Sequence, residues 1–134
     1  MENLNICLGV EEYQIAGGGV LRFNPTDPNI YAAFLDSRKA LDGIYKGFRK
    51  RAQSAKDGAD VLQLLRDADG QLKALLTEIS PGNDFHQVLG GVNLLALGGN
   101  GKTVAENLLA ALEEILSAGA KTLVEKEAEK LKNN

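Results

Sequence analysis

Ala96-Leu97-Gly98-Gly99-Asn100-Gly101-Lys102-Thr103 comes within one position of the phosphate-binding pattern G-x-x-x-x-G-K-[S/T], with alanine in place of the first glycine. In such a loop the backbone N–H groups wrap phosphates, the lysine reaches the β and γ phosphates, and the hydroxyl holds magnesium. An apolar run before it and an amphipathic helix after it strengthen the likeness. The rest of the chain does not supply what that chemistry needs. The residues after Thr103 read as one helix with a charged tail, so no later strand carries the magnesium-binding aspartate. The β-like material lies at the other end of the chain, not in the strand–helix alternation of a parallel sheet. The segment reads as a glycine-rich turn ahead of a helix, and nucleotide binding is the least favoured function.

Other chemistry is equally sparse. With one histidine, one cysteine and no tryptophan, the chain cannot build a Cys/His metal cluster. A Cys–His pair would use both residues and leave no spare member. His86 falls in a short capped helix and reads as a surface or cap-bonded side chain. Cys7 alternates with apolar neighbours and reads as a small packed residue; a single cysteine also excludes an internal disulfide and fits a reducing cytoplasm. Asp67, Asp69 and Glu78 stand between apolar positions and read as surface carboxylates. No catalytic residue, cofactor or metal is expected, and the chain reads as a non-enzyme.

The elements that would position any site follow from length and periodicity. At 134 residues, 44% hydrophobic and 25% charged, the chain reads as one soluble globular domain with a core of its own. A net charge of −3 gives no reason to expect nucleic acid or an anionic membrane as partner. It has neither the apolar run of about 18 residues that a membrane span needs nor a signal-peptide pattern at its start. Residues 1–23 read as an antiparallel hairpin of two or three strands. Leu4, Ile6 and Leu8 alternate with polar neighbours, Tyr13 and Ile15 do the same, and Val20-Leu21-Arg22-Phe23 follows a glycine triplet.

Helical spacing then takes over. Asn24-Pro25-Thr26-Asp27-Pro28 offers a cap and a first-turn proline, and helix 1 is predicted over 26–54 with Ile30, Phe34, Leu41, Ile44, Tyr45 and Phe48 on one face. Lys56-Asp57-Gly58 breaks it. Helix 2, over 59–79, shows the three-four spacing of Val61, Leu65, Ala68, Leu72, Leu75 and Ile79 and should pair with helix 1 as a helical hairpin. Residues 84–101 hold a short helix capped by Asn83 or Asp84 and a glycine-rich loop, in which 92–97 reads equally as strand or helix. A C-terminal helix covers 102–132 on Val104, Leu108, Leu112 and Ile115, its end charged and solvated. The fold class is mainly α with a small N-terminal antiparallel β-hairpin, an α+β protein.

Two features point to partners. Phe85, Val88, Leu89, Leu94, Leu95 and Leu97 crowd apolar side chains around glycine pairs. They either cover one end of the helical hairpin or form an exposed groove for a partner helix. Arg49, Lys50 and Arg51 close helix 1, where positive charge suits the negative end of the dipole or would dock an acidic partner. Between residues 28 and 54, six basic residues face two acidic ones, so +4 here leaves −7 elsewhere in a chain of net −3. That split also suits a homo-oligomer.

The order of these elements resembles the small tail-assembly chaperones of long-tailed bacteriophages and prophages. The likeness rests on the hairpin, the Phe23-Asn24-Pro25-Thr26-Asp27-Pro28 turn into a long helix, the second helix, and the capped short helix with its glycine-rich loop. The last helix, Val104-Ala105-Glu106-Asn107-Leu108-Leu109-Ala110-Ala111-Leu112-Glu113-Glu114-Ile115, completes it. The resemblance implies a non-enzymatic protein of the host bacterial cytoplasm. Its partners would be the tape-measure protein, which it keeps soluble, and the tail-tube protein, whose assembly it assists. A structural component of a phage tail or head-tail junction is the alternative.

Overall fold

Asp27 accepts a hydrogen bond from the Asn29 N–H at 2.9 Å, and Pro28 takes the first helical position, so helix α1 (Pro28–Ala52) begins where its free amides are already satisfied. Asp57 does the same for α2 (Gly58–Ile79), accepting from Asp60 N–H, and Asp84 for the short α3 (Phe85–Val88). Thr103 caps α4 (Val104–Lys132) through its hydroxyl oxygen. Ahead of them, strands β1 (Glu11–Gln14) and β2 (Val20–Phe23) pair antiparallel with Tyr13 opposite Leu21. This computed structural model describes residues 1–133. It is mainly helical with a two-stranded hairpin, an α+β fold.

The core lies where the expected faces meet. Phe34 and Leu41 of α1, Leu72, Leu76 and Ile79 of α2, and Leu108, Leu112 and Leu116 of α4 are buried together with Leu21 and Phe23 of β2. Burial of each large side chain stabilises by roughly 1.5–3 kcal/mol. Helix α1 packs closely along α2. It runs antiparallel to α4, because Tyr45 meets Thr103, Arg38 meets Glu113, and Pro25 meets Gly119. No helix among the described residues is long and apolar enough to cross a membrane.

The structure corrects four expectations, the first being that Cys7, read as a small packed residue, is exposed. Residues 1–10 form no strand, and Leu4, Ile6 and Leu8 are all exposed. Their alternation is that of a strand, but no neighbouring backbone within the chain lies alongside them. The 92–97 segment is neither strand nor helix but a series of turns ending in a bridge between Leu97 and Thr103. Asp69 is no surface carboxylate; its side chain is only 13% exposed against α2's own Lys73.

Gly119 sets the α1–α4 crossing. A Cβ there would fall inside the carbonyl of Pro25, backbone that cannot swing aside. Gly70, in the middle of α2, has open space around the same position. Gly119→Ala therefore loses about 1–3 kcal/mol to overpacking despite its better helix propensity, whereas Gly70→Ala gains roughly 0.5–1 kcal/mol. Urea unfolding of the two variants beside the parent chain reads both signs.

Candidate functional site

Four of the six apolar residues expected to line an exposed groove are inside the core. Phe85, Val88 and Leu89 are buried, and Leu94 is 0% exposed. The groove reading therefore fails for them in the folded chain, where they are part of the core. Leu95 packs against the core edge, and Leu97 alone stands clear.

What buries Leu94 is a set of bonds between distant residues. Asp69 accepts the Leu94 N–H at 2.8 Å with one carboxylate oxygen and the Lys73 ammonium at 2.9 Å with the other. The Leu94 carbonyl takes the Ala105 N–H of α4 at 2.9 Å, and the Asn93 amide donates to the Leu65 carbonyl of α2. Lys73 is 4% exposed, and its Nζ lies 3.3 Å from His86 Nδ1. An ammonium only donates, so Nδ1 accepts and the ring proton of a neutral His86 sits on Nε2. The expectation of a surface residue holds for His86, which is exposed, although one nitrogen is engaged. The bonds from Leu94 to Asp69 and from Asn93 to Leu65 fasten the 89–97 segment to α2.

The glycine-rich turn is also closed. Gly98 N–H donates to the Lys102 carbonyl at 2.7 Å, Gly101 N–H to the Gly98 carbonyl, and Lys102 N–H to the Asn100 side chain. Three of the loop amides, those of Gly98, Gly101 and Lys102, are thus already bonded within the turn. Thr103, which would hold magnesium, spends its hydroxyl on the α4 cap and on Tyr45, 3.3 Å away. Among the described residues no group of His, Cys, Asp and Glu side chains is placed to hold a metal ion.

The concave surface lies instead between α1 and α4. At one end Arg38, Asp42, Tyr45 and Arg49 face Glu106 and Glu113 across a hollow of about 540 Å³ floored by Phe34, Leu41 and Leu109. The guanidinium of Arg38 sits 5.2 Å over the Phe34 ring and that of Arg49 5.8 Å over Tyr45, so each exposed arginine lies against an aromatic face. Arg38 also pairs with Glu113, which accepts from the Tyr31 hydroxyl. Beyond the Arg38–Glu113 pair, a second hollow between the same two helices is apolar. Pro25, Tyr31, Ala32 and Leu35 face Leu116, Leu123 and Val124 around about 320 Å³. Leu35 is 44% exposed and Val124 67%.

Of the basic residues singled out in the sequence, Arg49 lines this furrow, Arg51 lies by the α1–α2 seam, and Lys50 is solvent-exposed. Sequence reasoning missed Leu35, Leu123 and Val124. The available signal was their spacing: Leu35 falls four residues after Tyr31, and Leu123 and Val124 lie seven and eight after Leu116. An apolar stripe that passes from half-buried to exposed, next to ring-stacked arginines, can seat an amphipathic helix carrying acidic residues at one end. No family model matches the chain, and no curated protein or solved structure matches it.

Removing one member of the buried charge pair tests how the 89–97 segment is held. Asp69→Ala leaves the Leu94 N–H without a partner and the buried Lys73 ammonium without its counter-charge, with only His86 Nδ1 beside it, and should cost about 3–5 kcal/mol. Replacing both, Asp69→Ala with Lys73→Met, removes the stranded charge and should recover part of that loss. Thermal and urea unfolding of the single and double variants measure it.

Proposed function

We propose that this chain is a non-enzymatic tail-assembly chaperone of a phage or prophage, acting in the host bacterial cytoplasm. It binds the tape-measure protein and assists assembly of the tail tube. The observation that carries this reading is the α1–α4 furrow, apolar at one end and lined with ring-stacked arginines at the other. A long helical partner presents apolar stripes that must be covered until tube subunits arrive, and a furrow of this kind can cover one. The element order on which the family resemblance rests, hairpin, long helix, second helix, short capped helix and last helix, is the order of the fold.

The second reading, a structural component of the tail or head-tail junction, draws on the exposed apolar stretch of residues 4–10. Such a surface suits a subunit that stays in a permanent assembly.

Co-expression with the long helical protein encoded just downstream separates the two. Under the chaperone reading a soluble complex co-purifies. Leu35→Asp with Val124→Asp weakens it by roughly a hundredfold, two buried apolar contacts at about 1.5 kcal/mol each, with the circular dichroism unchanged. A stable ring formed by the chain alone, present in purified particles and without affinity for the helical protein, would favour the structural reading.

A further inference from the structure

The hairpin has one closed edge and one open edge. On the outer side of β2 the Asn83 side chain accepts from the Arg22 N–H at 2.9 Å and donates to the Arg22 carbonyl at 2.8 Å, as a neighbouring strand would. The Gly19 N–H, next to β2, is taken by the Val88 carbonyl. On the other side, Ile15 bonds to Gly18 and Gly19 across the turn, so the ladder bonds of β1 fall to Tyr13 and Glu11. The N–H and C=O groups of Glu12 and Gln14 therefore point outward, and no partner among the described residues meets them.

Residues 1–10 run directly into that strand. Leu4 is 85% exposed, Ile6 67%, Leu8 70% and Val10 54%, an apolar row with nothing packed against it. One bond anchors the stretch, from Asn24 Nδ2 to the Leu8 carbonyl at 2.9 Å, and it carries the arm past the end of β2 rather than back along β1. Its apolar positions are even-numbered, whereas the core-facing positions of the hairpin, Tyr13 and Ile15, are odd-numbered. Gly9, at φ +69°, separates Leu4, Ile6 and Leu8 from Tyr13 and Ile15, with Val10 left on the β1 side. A glycine in this left-handed conformation is the signature of a one-residue bulge, which shifts the side-chain phase by one and lets both sets face the same side. Residues 3–10 carry no charged side chain, so pairing them desolvates no ion.

We propose that the arm is an exchange strand for a second copy of this chain. Two copies pair about a two-fold axis near Gly9, each laying residues 4–8 antiparallel along the free edge of the other's β1. The backbone of the incoming arm meets the outward groups of Glu12 and Gln14. Its Leu4, Ile6 and Leu8 cover the half-buried Tyr13 and Ile15, while Asn5 and Cys7 lie beside Glu12 and Gln14 on the wet face. The occupant is a second copy because the arm matches this edge in phase, length and lack of charge, and because its Asn24 anchor points it away from its own β1. The furrow between α1 and α4 stays open in such a pair, so the inference stands independently of the proposed chaperone role.

The test is the mass of the intact chain in solution by light scattering and sedimentation, beside Leu4→Asp with Ile6→Asp. The parent chain should be a dimer and the double variant a monomer with the same circular dichroism and thermal midpoint, since both side chains are exposed in the single chain. As a second readout, Glu12→Cys or Gln14→Cys should form a disulfide with Cys7 of the other copy on mild oxidation, giving a covalent dimer on a non-reducing gel. A monomeric parent chain, a dimer whose mass the double variant leaves unchanged, or no cross-link with either cysteine would overturn the proposal.

Discussion

The approach of the Pro25 carbonyl to Gly119 is the contact on which the concave side of this molecule depends. It brings backbone against backbone at the start of α1, a distance that any side chain at 119 would prevent. With the two helices pinned at that point, their relative placement elsewhere is decided by what fits between them. Phe34, Leu41, Leu112 and Leu116 fill the inner side, and the outer side is left as the furrow. Arg38 and Tyr45 cross the gap to Glu113 and Thr103, while Arg49 lies over the Tyr45 ring.

A second constraint works on the opposite side of α2. Carrying the 89–97 segment over the end of the helical hairpin means burying backbone with no ladder to satisfy it. Asp69, Lys73, Asn93 and the first turn of α4 take up that task in place of secondary structure. The cost is a charge pair out of water, which holds only because each carboxylate oxygen and the ammonium have partners. The glycine-rich turn that follows reconnects this segment to α4. Its resemblance to a phosphate loop reflects the same need, a tight reversal ahead of a capped helix.

Much of the scaffold was legible in the residues. Asp27 and Asp84 are among the caps the residues offer and the structure uses both, while Asp57, legible only as a break, caps α2 and Thr103, placed within the last helix, caps it. The three-four spacing of α2 and the face of α1 likewise led to the core. The site was less legible. Leu94 is tied to Asp69, 25 positions earlier, and no local pattern announces a bond of that span. Counting apolar side chains on the 85–97 segment could not say whether they were covered. Leu35 and Val124 were passed over because isolated exposed leucines and valines are ordinary on any protein surface. The strand-like alternation of residues 4–8 points to pairing within the hairpin, which the structure does not form.

The Asn83 amide has a consequence for how such a molecule can aggregate. A strand with an open edge is a template, and a two-stranded sheet ordinarily has two of them, enough to build an endless ribbon. By occupying both backbone groups of Arg22, one side chain removes one of the two. What remains can accept a single neighbour and then offers no further site, so growth through the sheet terminates after one step instead of propagating. The difference between a finite particle and a fibre rests here on a carboxamide that faces the protein interior, far from any surface that a partner would touch.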